Sequence, residues 1–423
     1  MNNINIKLED IPDDWNVEEI GKCFVFTKKS KKLTIPKDEE LPFIPMESIS
    51  ADNPKIKNWY IKRKSEISSA TFVRENDVII AKITPSFESG KQAILNNLPK
   101  KYGYATTEVW ALHANKEKTI PEHLYNYLKI PEIRKSLASK MEGSTGRQRL
   151  PKHVLENQKI PLPPLSEQKK IAAVLSAVQE AKEKTEAVIE ATKTLKKSMM
   201  KHLFTYGPVS EEVVDKIVLS ESDVGKYPYN WHVSYIKDFI EPTNQKDIRK
   251  TDQTYKYIDV SGIDRELLNV ADYREVKGKD APSRAKKIVK KNDVIIATVR
   301  PGLKRIAMIP PEFDGQVCST AFCVLRCNGN LINSNYLYYY MQKSNFINHL
   351  ISLERGASYP AITDKDVKKQ KIAHPTLTEQ DEIASMLKIV DNKLHKETNI
   401  SNALEKLFQS LLKNLMTGKL RVN

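Results

Sequence analysis

The sequence has few cysteines and no long apolar run. Of its 423 residues only 4 are cysteine, and Cys318, Cys323 and Cys327 share one alternating apolar stretch. That stretch lacks the paired spacing and the nearby histidine of a zinc site, so we predict buried small side chains there. No segment reaches the roughly 20 apolar residues of a membrane span. The acidic first residues lack the apolar region of a signal peptide, and we therefore expect a cytoplasmic protein with no membrane association.

Motifs for catalysis are missing as well. The Gly-Lys pairs at Gly90 and Gly418 lack the upstream glycine and the following Ser/Thr that a phosphate-binding loop needs. No Asn/Asp-Pro-Pro-aromatic motif of an amino-methyltransferase is present, and no histidines have the HExxH spacing of a metal site. A nuclease-like set of acidic and basic residues has a spacing that arises readily by chance in a charged chain: Asp272, Glu275 and Lys277. We expect no catalytic site, cofactor or metal.

Positive charge is what the sequence has in excess. There are 68 Lys and Arg residues against 53 Asp and Glu, a formal net charge of +15. An excess of this size favours a polyanionic partner, and nucleic acid is the commonest polyanion in a cell. A proteome rich in lysine throughout is the alternative explanation.

The sequence repeats itself once. The segment Asn76–Ala81, NDVIIA, returns at Asn292–Ala297, 216 residues later, and Trp15 returns as Trp231 at the same offset. Further along, IPLPPLSEQKKIAAVL from Ile160 matches IAHPTLTEQDEIASML from Ile372, 212 residues later. This period is far longer than the about 20–50 residues of a solenoid unit. The pattern predicts a domain duplication, in which the two copies share one fold and can mimic a homodimer with pseudo-twofold symmetry.

In each copy a proline-rich hinge separates a β-rich sequence pattern from a helical one. Short β-branched runs and a short helical segment precede the hinge, and a proline-free helix of about 40 residues follows it. Ser166 and Thr378 are predicted N-caps, and Asp381 is the third residue of a possible capping box. Apolar residues then recur at alternating spacings of three and four, which favours a coiled coil. In the first helix they include Ile171, Val174, Val178, Val188 and Leu195.

The two long helices occupy equivalent positions, so the simplest prediction is that they pair with each other as an antiparallel coiled coil. The alternative is that each packs only on its own domain. We predict an α+β protein that is a tandem duplication of two β-rich heads joined by these helices. The predicted boundaries are 1–165 for the first head, 166–208 for the first helix, 209–377 for a linker and the second head, and 378–423 for the second helix and tail.

This architecture resembles the specificity (S) subunit of Type I restriction-modification systems. The resemblance rests on the doubled PLPPLSEQKKIAAVL and HPTLTEQDEIASML helix starts, the repeated NDVIIA strand and the closing LMTGKLRV, and it extends over essentially the whole chain. It implies two target-recognition domains, each reading one half of a bipartite sequence in double-stranded DNA, with the coiled coil fixing the spacer. It also implies docking of two modification (M) subunits that carry adenine methylation, and separate restriction (R) subunits that carry ATP-driven cleavage.

Basic and amide-bearing loops at equivalent places in the two heads are the candidate DNA contacts, because phosphate contacts position a protein and base contacts specify the sequence. One loop follows the repeated strand, and the other is a polar segment before the hinge. Arginine can bridge guanine, and glutamine can bridge adenine. In the first head the candidates are Lys82, Thr84, Lys91, Ser144, Thr145, Arg147 and Gln148, and in the second they are Arg300, Lys304, Arg305, Ser358 and Tyr359.

Two other functions remain open from the sequence. One is the recognition subunit of a Type IIB-like restriction enzyme, which would need a fused nuclease–methyltransferase partner. The other is a non-catalytic coiled-coil scaffold whose heads bind protein. A scaffold predicts no salt-dependent affinity for DNA, whereas phosphate contacts predict a steep loss of affinity with salt.

Overall fold

The computed structural model describes residues 11–56 and 58–422. The chain divides into two compact units, of which the first contains the chain up to Lys184 and again from Ile400 onward, and the second contains Thr185–Asn399. The N-terminal residues on which the signal-peptide prediction depends lie largely outside the described residues. Within the described ranges, no helix combines the length and the apolar character needed to cross a membrane.

The first unit holds a head of strands and short helices followed by the start of the first long helix. Its strands are β1 (Asn16–Glu19), β2 (Phe24–Phe26), β3 (Glu40–Ile44), β4 (Tyr60–Arg63), β5 (Thr71–Arg74), β6 (Asp77–Ala81), β7 (Gln92–Ile94), β8 (Tyr102–Ala105), β9 (Val109–Ala114) and β10 (Lys159–Leu162). Its helices are α1 (Ile20–Cys23), α2 (Pro121–Lys129), α3 (Pro131–Ala138), α4 (Lys152–Glu156) and the long α5 (Leu165–Tyr206), which continues into the second unit.

The second unit begins within α5 and adds a second set of elements. Its strands are β11 (Leu219–Ser222), β12 (Gly225–Pro228), β13 (His232–Tyr235), β14 (Ile240–Glu241), β15 (Thr254–Ile258), β16 (Arg274–Lys277), β17 (Ala285–Ile288), β18 (Val294–Ala297), β19 (Ile306–Met308), β20 (Val317–Ser319), β21 (Phe322–Cys327) and β22 (Lys371–His374). Its helices are α6 (Ser334–Tyr340), α7 (Ser344–Ser352), α8 (Asp364–Lys368) and the long α9 (Leu377–Met416), which ends in the first unit.

The sheets of the two heads have the same topology, apart from a β11-β12 hairpin that only the second unit has among the described residues. In the first, one sheet has the order β2-β9-β6-β7, another has the order β4-β3-β8-β5, and β1 pairs with β10. In the second, the corresponding orders are β14-β21-β18-β19 and β16-β15-β20-β17, and β13 pairs with β22. Even the parallel pairing recurs, between β3 and β8 and between β15 and β20. The predicted tandem duplication and α+β class are confirmed.

The repeated NDVIIA segment forms the inner strand of a sheet in each head. Side chains of a strand alternate between its two faces. Val78 and Ile80 accordingly join the core under the helices, whereas Ile79 joins a second core on the other face. Val294 and Ile295 divide in the same way in the second head. Burial on both faces explains why this segment is apolar at consecutive positions.

The long helices pair within each unit. In the first unit, Ile171 and Leu175 of α5 share a core with Phe408 and Leu412 of α9, and Lys182 forms an ion pair with Glu405. The early part of α5 therefore lies beside the late part of α9, so the two run antiparallel there.

In the second unit the order is reversed. Leu203 and Phe204 of α5 share a core with Ile383 and Leu387 of α9. The Nζ atom of Lys196 lies 2.7 Å from a carboxylate oxygen of Asp391. The helices are antiparallel here too. The apolar spacing was misleading at two positions, because Val188 and Leu195 are exposed rather than buried between the helices.

The predicted helix starts were close, but the predicted caps were wrong. The helices begin at Leu165 and Leu377, so Ser166 and Thr378 lie inside them. The side chain of Thr376 lies 3.5 Å from the backbone N–H of Glu379 instead. Asp381 completes no capping box and accepts a hydrogen bond from the side chain of Asn333. The start of α9 is thus tied to the head by side chains.

Candidate nucleic-acid interface

In the first head the two candidate loops are hydrogen-bonded to each other. The backbone N–H of Thr84 donates to the carbonyl of Gln148 at 3.0 Å, and the N–H of Leu150 donates to Lys82 at 2.8 Å. Ile83 and Arg149 form an isolated antiparallel bridge between them. The loop after the repeated strand and the polar loop before the hinge therefore form one surface.

The second head brings its two loops together at the equivalent place. The N–H of Arg300 donates to the carbonyl of Pro360 at 2.8 Å, and the Arg300 guanidinium lies 5.5 Å from the centre of the Tyr359 ring. Its Nη2 is also within 3.4 Å of the Ser358 carbonyl. Three of the predicted residues are thus neighbours, although they are nearly 60 positions apart in sequence.

The backbone around Arg300 is held in an uncommon conformation. Arg300 and Lys304 both have positive φ, at 49° and 52°, on either side of the single turn Pro301–Leu303. A left-handed backbone is unfavourable for residues with a Cβ atom, and such strain concentrates at functional sites. The equivalent of Lys304 in the first head is Gly90, also at positive φ. The end of the turn therefore has a left-handed backbone in both copies, whereas its start differs, because Arg300 has a positive φ and its equivalent Thr84 does not.

The exposed part of the surface carries the most polar candidates. Ser144, Thr145 and Arg147 are exposed, and the N–H of Arg147 donates to the Ser144 carbonyl across a turn. In the second head Ser358 and Tyr359 are exposed, with 76% of Tyr359 accessible. An exposed aromatic ring beside an arginine can stack on a base or sugar.

Lys82 is less available than its neighbours. Its Nζ lies 3.8 Å from the centre of the Trp110 ring, a cation–π contact. Burial, and then the nearby positive charge of Arg149, lower the pKa of Lys82. Close positive charges that lack full compensation produce a local potential that attracts phosphate.

Lys91 and Arg305 occupy equivalent positions, and each side chain donates a hydrogen bond to a backbone carbonyl within its own head. The Nζ of Lys91 donates to the carbonyl of Met46 at 3.0 Å, and Arg305 donates to the carbonyl of Val260. Met46 and Val260 are the first residues of equivalent single-turn helices. These two side chains hold the loop after the repeated strand on the opposite sheet. Of the remaining candidates, Thr84 donates its hydroxyl to Glu88 at 2.9 Å.

Three further residues contribute to this surface: Arg149, which belongs to the predicted polar loop, and Trp110 and Arg355, which sequence reasoning missed. Arg149 is exposed next to Gln148 and bridges both loops through its backbone. Trp110 supports Lys82 and donates its indole N–H to the carbonyl of Leu150 at 3.1 Å. Arg355 forms an ion pair with Asp366, and the backbone of Arg355 pairs with that of Ala361 across the second polar loop. Arg149 was visible in the sequence as the next basic residue, but the other two depend on tertiary contacts.

The cysteines are buried as expected, except that Cys327 is only partly covered, and all four are free thiols. Burial raises the pKa of the Cys323 thiol to about 12. No group of three or more His, Cys, Asp or Glu side chains that could hold a metal ion occurs within residues 11–56 and 58–422.

The comparisons with known proteins agree with the duplicated heads. The model of the family "Type I restriction modification DNA specificity domain" matches residues 12–191 and again residues 228–406. The chain belongs to this family. The two matches begin just before Trp15 and Trp231, and so the family's domain occurs twice in tandem, as the repeat predicts.

Relatives of similar length support the assignment. The MjaVIII Type I restriction enzyme specificity subunit of Methanocaldococcus jannaschii is 27% identical over 419 residues, which cover 97% of this chain and 94% of the relative. A crystal structure of the Type I restriction-modification system S subunit from M. genitalium shares the fold with a TM-score of 0.61. It is 15% identical, and the match covers 98% of both chains.

A third match comes from a structure that describes complex assembly and conformational transition of the type I R-M system. Its TM-score is 0.53 at 18% identity, and the match covers 97% of this chain and 99% of the other. At these identities the solved structures support the fold alone.

Proposed function

We propose that this chain is the non-catalytic DNA-recognition subunit of a Type I restriction-modification complex. Each head reads one half of a bipartite, asymmetric target in double-stranded DNA, and the paired long helices fix the spacer between the halves. The observation that carries the proposal is the joined pair of loops at the same place in each head. Geometry shared between the copies positions the DNA, and side chains that differ between them select the bases.

The differences between the loops support two distinct half-sites. Gln148, with an amide that can bridge adenine, has Pro360 as its equivalent. Thr84 has Arg300 as its equivalent, which can bridge guanine. Identical heads would bind a palindrome, whereas these heads suit an asymmetric sequence.

Exposed apolar residues on the long helices support docking of modification subunits. On α9, Met386 and Ile389 are 40% and 69% accessible, and Leu407 is 46% accessible. On α5, Val188 and Leu195 are also exposed. Of these, Met386 and Ile389 lie one turn apart on the same helix, and exposed apolar side chains that form a patch can mark a protein interface. Two M subunits, one for each copy, would cover such residues, and R subunits would join the full complex.

The test is reconstitution with the M protein encoded beside this chain. We expect sequence-dependent adenine methylation only when both proteins are present, at a bipartite site found by mapping methylated adenines across a host genome. Methylation by the purified chain alone would contradict the assignment. If the only productive partner is a single fused nuclease–methyltransferase, the Type IIB-like alternative is correct.

A second measurement separates DNA recognition from a scaffold role. Affinity for duplex DNA should fall steeply with salt, because each phosphate contact releases a counterion. A chain that binds M protein but shows no salt-dependent affinity for DNA is a protein scaffold instead.

A further inference from the structure

The second unit contains a cleft rich in basic residues that lies beside the candidate DNA surface. It has a volume of about 910 Å³ and lies between the late part of α5, the turn after β18 and the start of α7. Apolar side chains, including Phe204, Leu268 and Ile306, form its floor. We call it the basic cleft and define it by five cationic side chains: Lys197, Lys201, Arg265, Lys304 and Lys343.

None of these five cations has an ion-pair partner within the described ranges. Two other cations of the cleft wall do, because Lys193 pairs with Glu190 and Glu266, and Lys196 pairs with Asp391. Lys343 is packed instead over the ring of Tyr340, with Nζ 4.3 Å from its centre. Its burial lowers the pKa of Lys343 to about 8. The cleft therefore has excess positive charge that an anion would compensate.

The equivalent positions of the first unit lack this charge. Following the repeat, they are Gln409, Lys413, Ala51, Gly90 and Ile130 in the same order. The single lysine among them, Lys413, lies 3.5 Å from the carboxylate of Glu132.

Other cations line the cleft of the first unit, but it also contains the acidic residues Asp52 and Glu88. Arg134 there donates hydrogen bonds to the carbonyls of Leu128 and Phe87, and Lys129 donates to the carbonyl of Asp52. A shared fold therefore carries strong positive charge in one copy only.

We propose that the basic cleft binds the phosphate backbone of DNA next to the half-site read by the second head. The chain then makes more phosphate contacts beside this half-site than beside the half-site of the first head. The inference rests on the proposed function. Lys304 belongs both to the strained turn of the candidate DNA surface and to the cleft. A strand that leaves the loops of the second head therefore reaches the cleft without a break.

The spacing along α5 fits a DNA strand. Lys197 and Lys201 are four residues apart, which is about 6 Å along a helix axis. A DNA strand carries one charge per about 3.4 Å of axis, so alternate phosphates recur at nearly the same interval. An acidic protein segment would also suit a basic rim above an apolar floor, but it would not explain the continuity with Lys304.

The test compares salt dependence of DNA binding between matched variants of the full chain. Lys197→Gln/Lys201→Gln removes two charges from the cleft, and Lys169→Gln/Lys170→Gln removes two exposed charges from the same helix in the first unit. With a mixed-sequence duplex of about 40 base pairs, the slope of log affinity against log salt should become shallower by about 1.8 for the cleft variant alone. Between about 50 and 200 mM salt, the wild type should then lose roughly 12-fold more affinity than the cleft variant.

A transplant provides the reverse test. Gln409→Lys introduces the equivalent of Lys197 into the first unit and should make the slope steeper by up to about 0.9. Wild-type chain without salt-dependent affinity would overturn DNA recognition and the cleft together. A steep wild-type slope that the cleft variant leaves unchanged overturns the cleft alone. Loss of an acidic protein partner from the cleft variant, with DNA binding intact, assigns the cleft to protein.

Discussion

Trp15 donates its indole N–H to the carboxylate of Glu167 at 3.2 Å, and this bond ties the first head to the start of the first long helix. Trp231 and Glu379 repeat it in the second unit at 2.9 Å. The two motifs that revealed the duplication, the early tryptophan and the Glu-Gln at the helix start, are therefore bonded to each other. The neighbouring glutamines also tie the helix starts to the heads. Gln168 accepts from the N–H of Ile120, and Gln380 accepts from the N–H of Asn333.

The same substitution should have different effects in the two copies. Arg421 donates to both oxygens of Glu167, at 2.7 and 2.8 Å, whereas Trp231 is the hydrogen-bond donor to Glu379. Glu167→Gln should lower the free energy of unfolding by about 1–3 kcal/mol, because a charge-assisted pair is removed. Glu379→Gln should change it by less than about 0.5 kcal/mol, because the amide oxygen still accepts from Trp231. Hydrogen exchange in rising urea, followed separately in the two units, measures both.

The effect of Glu379→Gln on stability should depend on pH, in a direction set by the pKa of Glu379. Burial raises the pKa of Glu379, so its ionisation costs the folded state free energy. That cost appears as pH rises through the ordinary carboxyl range, and the glutamine does not incur it. The stability of Glu379→Gln relative to wild type should therefore improve as pH increases from about 4 to 7. A difference that stays constant with pH would mean that Glu379 is well solvated.

His123 should make the first unit sensitive to acid. Its Nε2 lies 2.7 Å from the carbonyl of Pro161, it is fully buried, and burial lowers its pKa to about 4. Because the folded-state pKa lies below the unfolded value near 6.5, protonation favours unfolding. Stability should fall as pH drops from about 6.5 to 4, by about 3 kcal/mol in all.

The second unit provides the internal control for His123. Its equivalent residue is Tyr336, whose hydroxyl donates to the carbonyl of Ala373 at 2.7 Å and does not titrate in this range. His123→Gln keeps a donor without the acid titration and should flatten the pH profile of the first unit. Unfolding midpoints between about pH 4 and 7 for wild type and variant give the comparison. An equal decrease in both proteins would assign the acid sensitivity to other groups.

How much could be read from the sequence depends on the kind of interaction. Alternation and β-branching identified the NDVIIA strand, because its burial on both faces is a local property of the chain. The positions of the long helices followed from the absence of proline and the apolar spacing. Their caps did not, since Asn333, which binds Asp381, lies 48 residues away.

The candidate surface shows the same difference between what is local in the sequence and what depends on contacts between distant residues. The repeat matched each candidate loop to its equivalent in the other head, but it did not predict that the two loops of one head lie together, as the bonds from Thr84 to Gln148 and from Arg300 to Pro360 show. Residue type alone could not separate an arginine facing solvent from one held inside. Arg300 and Arg305 are five positions apart, yet one lies beside Tyr359 and the other on the carbonyl of Val260.

That contrast leads to a prediction about Arg305 and Lys91. Arg305→Gln removes a cation that holds the loop on the opposite sheet and should destabilise the second head by about 1–3 kcal/mol. Its DNA affinity should fall for all sequences alike, because the whole loop is loosened. Arg300→Gln should leave stability within about 0.5 kcal/mol of wild type and change DNA binding only. Thermal unfolding and DNA titration of the two variants, with Lys91→Gln as the first-head equivalent, separate anchoring from recognition.

The sharpest test of the two-head arrangement is a change of specificity on one side only. Arg147 is exposed at the tip of the first polar loop and Gln148 lies beside it, and both residue types can form paired hydrogen bonds with a purine. Arg147→Ala/Gln148→Ala should relax base preference within one half-site, by about 1–3 kcal/mol for each base that these side chains bind, while preference in the other half-site stays unchanged. Arg300→Ala/Tyr359→Ala should affect the opposite half. Genome-wide methylation maps from each variant with M protein give both half-sites at once. If either pair relaxed both halves together, or the spacer length changed, the loops would act through the helices rather than by reading their own half-site.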